Sequence, residues 1–126
     1  MLEGLLKIPV ILIVDCTKIT NTAASLVLGC HVFDKDVHIG GVILNRIAGE
    51  RHGDIIKRSV EYHTNFPVLG QVPNLDLHMP ERHLGLTTVE ETGDFKDNLE
   101  FLGNIAEKYL DLDKILTIAK TTRHPF

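Results

Sequence analysis

Polar side chains stand at the ends of apolar runs in this sequence, where they could bind a ligand. Asn45 and Arg46 end the run that begins at Ile39, and Asp15 ends the earlier run Ile8–Val14. Long apolar runs of this kind are typical of buried parallel strands. Because ligands bind at the carboxyl edge of open α/β sheets, these side chains are candidates for a binding site.

Asn45 is the strongest candidate among them. A side-chain amide carries one acceptor and two donors, so it can pair with both N6 and N7 of an adenine base. The alternative is an asparagine that only caps the turn after its strand. We predict that Asn45 contacts adenine because of its position at the strand end.

Gly70 and Pro73 end the third apolar segment, which begins at Pro67. Glycine lets backbone approach a flat base, and proline offers apolar surface without a competing donor. We expect both residues to form the opposing wall of the adenine site. The alternative is an ordinary loop after an edge strand.

Three charged residues are candidates for contacts to substrate or for holding loops. Asp15 can reach Mg²⁺ through water or bind N–H groups of the loop 16–21. Arg51 precedes His52 at a predicted helix start, where it can approach a ligand or remain solvated. Arg82 can bind a carboxylate with two hydrogen bonds, or pair with the neighbouring Glu81.

The sequence assigns no catalytic residue and no metal site. His78, Glu81 and His83 do not keep the spacing of metal ligands. Cys16 and Cys30 match no metal spacing either, and both are expected to be small buried side chains in a reduced compartment.

Composition indicates one globular domain with an ordinary core. The chain has 126 residues, of which 44% are hydrophobic and 24% charged, and its formal charge is -4. No basic patch suggests nucleic-acid binding, and no apolar run can span a bilayer. The N-terminus does not resemble a signal peptide. We therefore expect a cytoplasmic protein with no membrane or nucleic-acid partner.

Periodicity predicts alternating strands and helices over the first 72 residues. Ile8–Asp15 is a strand of the type that is buried on both faces, and a helix over 22–33 follows, capped by Thr20 or Asn21 and buried on most sides. A strand ends at Asn45, a helix covers 49–63 and a third strand covers 67–72. The inner face of the second helix is predicted to hold Ile55, Ile56 and Val60.

The remainder is predicted to be a loop over 74–88 with one helical turn, followed by two helices. Asp94 caps the first of these helices and Asp111 caps the second. Three strands are few for a doubly wound sheet, and the first strand needs neighbours on both edges. Either another chain completes the sheet, possibly as a homo-oligomer, or this chain is part of a larger protein.

Five segments in order resemble the cobyrinic acid a,c-diamide synthase family. They are Pro9–Asp15, Gly41–Arg46, Glu50–His52, Pro67–Gly70 and Glu81–Leu86, and Asp111–Ala119 resembles the helix that closes the family's synthetase domain. The resemblance implies an α/β, three-layer parallel sheet of the P-loop NTPase or dethiobiotin synthetase-like type, present here as a partial domain. Residues 1–120 would form the C-terminal half of that ATP-dependent domain, and residues 121–126 would begin a linker.

The resemblance also implies a reaction. Family members use ATP and Mg²⁺ to activate acetate carboxylates of a tetrapyrrole, which ammonia from glutamine then converts to amides. An asparagine at the position of Asn45 contacts adenine in dethiobiotin synthetase-like proteins. No Walker A loop occurs in this sequence, and the glutamine amidotransferase domain would follow Phe126. We therefore expect this chain alone to bind neither ATP nor Mg²⁺ convincingly and to be inactive.

Two other functions remain open at this point. The chain can be a non-catalytic dethiobiotin synthetase-like module that binds nucleotide or another protein. Tight nucleotide binding without the Walker A loop would favour this function. It can also be a free-standing protein that completes its sheet by dimerisation.

Overall fold

Three strands and four helices make up the part of the chain that the computed structural model describes, residues 8–75 and 92–121. The strands are β1 (Pro9–Asp15), β2 (His38–Ile47) and β3 (Val68–Pro73), and the helices are α1 (Thr22–Phe33), α2 (Glu50–Thr64), α3 (Thr92–Tyr109) and α4 (Leu112–Lys120). The α/β class and the predicted order of elements are confirmed, with element ends that differ by up to three residues.

The sheet is parallel, and β2 lies between β1 and β3. Asp15 of β1 pairs with Asn45, and Pro73 of β3 pairs with Ile47. Helices α1 and α2 supply the long crossovers that parallel neighbours need. The carboxyl ends of all three strands therefore lie at one edge of the sheet.

Helices α1 and α2 cover one face of the sheet and form the main core with it. Small and branched side chains let the two helices approach the strands closely. The buried residues of this core are Val14, Cys16, Ala23, Ala24, Val27, Val42, Leu44, Ile47, Ile56 and Val60.

The junction between α3 and α4 covers the other face at β3. Ile43 stands between the core residues Val42 and Leu44, so its side chain points away from α1 and α2. Gly70 is the register partner of Ile43, and a Cβ atom on Gly70 would lie 2.5 Å from Cδ2 of Leu110. The sheet therefore has helices on both faces, as the three-layer prediction requires.

Asp111 stabilises this junction through two hydrogen bonds. Its backbone N–H donates to the Leu69 carbonyl at 2.7 Å, and its side chain accepts from the Lys114 N–H at 3.1 Å. The predicted cap of the last helix is thus confirmed. Helix α3 begins at Thr92, so Asp94 lies within its first turn and not before its start as was predicted.

Strand β1 is not buried on both faces as predicted. It pairs only with β2 in the described part of the chain, and the Ile13 side chain is 64% exposed. A continuous apolar run indicates that a strand is suited to burial on both faces. Whether it is buried depends on the elements that lie beside it. The described residues supply β1 with a neighbour on one edge only.

Several other side chains are also more exposed than predicted. Helix α1 buries only Ala23, Ala24 and Val27, and Phe33 at its end is 91% exposed. Ile55 is 43% exposed, so the buried stripe of α2 consists of Gly53, Ile56 and Val60. Cys16 is buried as predicted, but Cys30 is exposed. The apolar outer side chains of α1 are Leu26, Leu28, Val32 and Phe33.

Part of the predicted loop 74–88 lies outside the described residues, together with Arg82 and the histidines beside it. None of the helices in the described range is long and apolar enough to cross a membrane.

We predict that the 126-residue chain self-associates through the edge of β1 that no described residue pairs with, because an unpaired apolar edge strand pairs readily with another chain. Ile13→Lys places a charge on an exposed position of that strand and should lower the association constant while the chain stays folded. Val14→Lys is the matched control, since Val14 is only 6% exposed and a buried lysine should abolish folding. Sedimentation equilibrium and circular dichroism measure the two effects. A wild-type chain that is monomeric and folded at high concentration would contradict this prediction.

Candidate functional site

The loop after β1 is held by the carboxylate of Asp15. Its Oδ1 accepts hydrogen bonds from the Thr17 N–H at 3.0 Å and from the Thr17 hydroxyl at 2.6 Å. These bonds hold the pKa of Asp15 below its ordinary value. Asp15 therefore organises the start of the loop 16–21, and a contact from Asp15 to a ligand stays a prediction.

The end of β2 is tied to the end of β1 through Asn45. The Asn45 carbonyl accepts from the Cys16 N–H at 2.8 Å, and its side-chain Oδ1 accepts from the Arg46 N–H at 3.0 Å. Among the described residues, Nδ2 of Asn45 donates no hydrogen bond. The half-buried side chain thus combines the turn-capping bond with two unused donors at the carboxyl edge of the sheet.

Arg46 follows Asn45 at the end of the apolar run, and the structure places its side chain beside Asp15. Its φ is 58°, in the left-handed region that arginine rarely adopts. Its Nη1 lies 3.3 Å from Oδ2 of Asp15, and both side chains are more than half exposed. The sequence shows a cation at the end of an apolar run. It does not indicate the left-handed backbone conformation, because glycine or asparagine is the usual sign of that conformation.

Burial dominates the chemistry of the neighbouring thiol. Cys16 is fully buried directly after Asp15, and burial raises the pKa of its thiol to about 11. A thiol with a raised pKa is a poor nucleophile at neutral pH. Cys16 is therefore a core residue beneath the site and not a reactive group in it.

Pro73 and Gly70 occupy different places along β3. Pro73 pairs with Ile47 beyond the level of Asn45, so it lies at the carboxyl edge. Gly70 lies deeper in the sheet, where a Cβ atom would be 2.9 Å from the Tyr109 carbonyl oxygen and close to Leu110. The space beside Gly70 is therefore filled by the chain itself, which leaves Pro73 as the candidate for the adenine wall.

Arg51 is exposed at the start of α2, beside an open cleft of about 500 Å³. Thr20, Gly49 and Ile55 also line this cleft. Arg51 and His52 are neighbours in sequence, but their side chains lie in different surroundings. The His52 ring is half-buried and hydrogen-bonded between two loops. Arg51 remains available to solvent or to a ligand.

The described residues do not provide a Mg²⁺ site. No group of three or more histidine, cysteine, aspartate or glutamate side chains in the described ranges could hold a metal ion. Both carboxylate oxygens of Asp15 already have partners in Thr17 and Arg46.

Comparison with known protein families identifies the domain to which this edge belongs. A model of the AAA domain family matches residues 1–82. The chain belongs to this family. The match contains β1, β2 and β3, and with them the whole carboxyl edge described above.

Curated relatives extend the similarity to nearly the whole chain. Cobyrinate a,c-diamide synthase of Listeria monocytogenes serotype 4b is 44% identical over 124 residues, and the enzyme of that name from Archaeoglobus fulgidus is 44% identical over 116 residues. Hydrogenobyrinate a,c-diamide synthase of Brucella anthropi is 42% identical over 118 residues. These alignments cover 92–94% of this chain. The resemblance inferred from the sequence motifs is thereby confirmed.

The chain spans about a quarter of the length of these relatives, between 25% and 27%. No solved structure matches it.

We predict that Gly70→Ala destabilises the chain, because the added methyl group would press against the Tyr109 carbonyl and Leu110. The expected loss is about 1–3 kcal/mol of unfolding free energy, as for other overpacked sites. Gly29→Ala in α1 is the matched control, since nothing lies within 4 Å of its Cβ position and alanine favours a helix. Urea unfolding of both variants measures the difference. Equal stability of the two variants would show that β3 does not pack against the α3–α4 junction as described.

Proposed function

We propose that this chain is part of a glutamine-dependent a,c-diamide synthase, which amidates acetate carboxylates of cobyrinic acid or a related tetrapyrrole in cobalamin biosynthesis. The observation that carries the proposal is identity of 42–44% to relatives of that name over nearly all of the chain. The AAA domain match and the parallel sheet support ATP as the activating nucleotide. In this proposal residues 1–120 belong to the C-terminal half of the synthetase domain, and residues 121–126 begin a linker.

The proposed task of the chain is to bind the nucleotide base. Asn45 offers unused amide donors at the strand end, and Pro73 offers apolar surface at the same edge. Base recognition by such contacts is weak without phosphate contacts, so affinity of the chain alone should be about millimolar to high micromolar. The groups that bind phosphate and Mg²⁺ are proposed to belong to other parts of the enzyme.

Arg51 and Arg82 are proposed to face the polycarboxylate substrate. A tetrapyrrole with many acetate and propionate groups is best bound by arginine, whose guanidinium can donate two hydrogen bonds to one carboxylate. Exposure of Arg51 at the ligand edge supports its part of the proposal. We further propose a cytoplasmic setting, supported by two free cysteines, and glutamine as the nitrogen donor of the whole enzyme.

A chimeric enzyme tests this proposal. The chain replaces its counterpart in the Listeria monocytogenes relative, and the chimera is assayed with cobyrinic acid, ATP, Mg²⁺ and glutamine. We expect a,c-diamide formation, whereas the 126-residue chain alone should give none. Asn45→Ala should raise KM for ATP about tenfold, the effect of losing one good base contact. Asn98→Ala on exposed α3 is the control and should change nothing.

A chimera that folds and binds ATP but forms no amide would overturn the proposed activity. An Asn45→Ala chimera with an unchanged KM for ATP would remove Asn45 from the nucleotide site while leaving the activity proposal intact. That second outcome would favour the turn-capping role, which the Oδ1 bond to Arg46 already shows.

A further inference from the structure

His52 connects the two loops that border the carboxyl edge. It lies in the first turn of α2 and is half-buried. Its Nδ1 accepts from the Ala48 N–H at 3.0 Å, in the turn after β2. Its Nε2 lies 2.6 Å from the carbonyl oxygen of Ile19, in the loop after β1. One ring therefore bonds to backbone on both sides of the edge.

These two partners determine the protonation of the ring. The Ala48 N–H can only donate, so Nδ1 must be free of a proton. The Ile19 carbonyl can only accept, so Nε2 must carry one. Only the neutral tautomer with a proton on Nε2 satisfies both bonds, because an imidazolium has no acceptor nitrogen.

The loops that His52 joins lead directly to the candidate ligand residues. Ile19 follows Asp15 in the first loop, and Ala48 follows Asn45 and Arg46 in the second. The only salt bridge between the two strand ends in the described part of the chain joins Arg46 to Asp15. Both of its side chains are more than half exposed, and such pairs contribute little. The half-buried imidazole is thus the stronger side-chain connection.

We propose that His52 is a positioning residue, which clamps the loop after β1 to the turn after β2 and so holds Asn45 in place for the nucleotide base. This inference rests on the proposed function for its consequence, although the clamp itself is defined by the structure. Ordering both loops before the ligand arrives removes an entropic cost of binding, which is the physical benefit of a preformed site.

Two substitutions separate the clamp from a simpler role at the helix start. In His52→Asn the amide oxygen replaces Nδ1, so the bond from Ala48 persists while the bond to Ile19 is lost. In His52→Gln the amide nitrogen can reach the position of Nε2 and restore the bond to Ile19. If His52 only held the Ala48 N–H at the start of α2, asparagine would replace it fully, because its amide oxygen keeps that bond.

The test uses the 126-residue chain and AMP as the probe. Nitrogen-15 spectra of the ring should show a proton on Nε2 and none on Nδ1. His52→Ala and His52→Asn should weaken AMP binding about two- to tenfold, the effect of one net hydrogen bond, and His52→Gln should recover most of it. Hydrogen exchange should speed up for backbone amides of the loop 17–21 in the alanine and asparagine variants only.

Each outcome decides the proposal. A proton on Nδ1, or AMP affinity and loop exchange in His52→Asn equal to those of the wild type, would overturn it. If the wild-type chain binds no AMP, the proposed nucleotide function fails, whereas the ring tautomer and the loop exchange still decide whether the clamp exists. The asparagine and glutamine variants keep the test valid if His52→Ala does not fold.

Discussion

The parallel pairing of β1 with β2 is the constraint on which the rest of this molecule depends. It places Asp15 beside Asn45, and the bond from the Cys16 N–H to the Asn45 carbonyl fixes that register at the strand ends. A shift of β1 by one residue would turn Val14 to the face opposite the core residues of β2. The same register that builds the core therefore aligns the polar residues at the ligand edge.

A second consequence of this pairing is that loops, and not strands, complete the site. Thr17, Arg46 and His52 each bond to a neighbouring loop or strand end, and together they connect the segments after β1 and β2. The unused amide donors of Asn45 and the apolar surface of Pro73 at this edge are the features that support the proposed base site.

The sequence predicted the elements of the fold because each one has a strong local signal. The apolar run before Asp15, the periodicity of α2 and the cap at Asp111 all depend on neighbours in sequence. Exposure of Ile13, Ile55 and Phe33 was not predictable in this way, since burial depends on which elements lie nearby in space. Apolar periodicity shows that a segment is suited to pack in a core. It does not show whether other elements cover that segment.

The candidate site likewise has features that were predictable from the sequence and features that were not. The strand-end positions of Asn45 and Pro73 followed from strand boundaries, whereas the packing of Gly70 against Leu110 joins segments that are distant in sequence. The left-handed conformation of Arg46 and the two bonds of the His52 ring likewise depend on tertiary structure. Local patterns located the edge, and long-range contacts determined which residues shape it.

We propose that a nucleotide base binds at the carboxyl edge of β2 and β3. Chemical-shift mapping of the 126-residue chain during titration with AMP tests this most directly. We expect the largest shifts at Asn45, Arg46 and Asn74, which follows Pro73. Shifts concentrated instead in the cleft of about 400 Å³ beside Lys57 and Lys108, at the far side of β3, would contradict it.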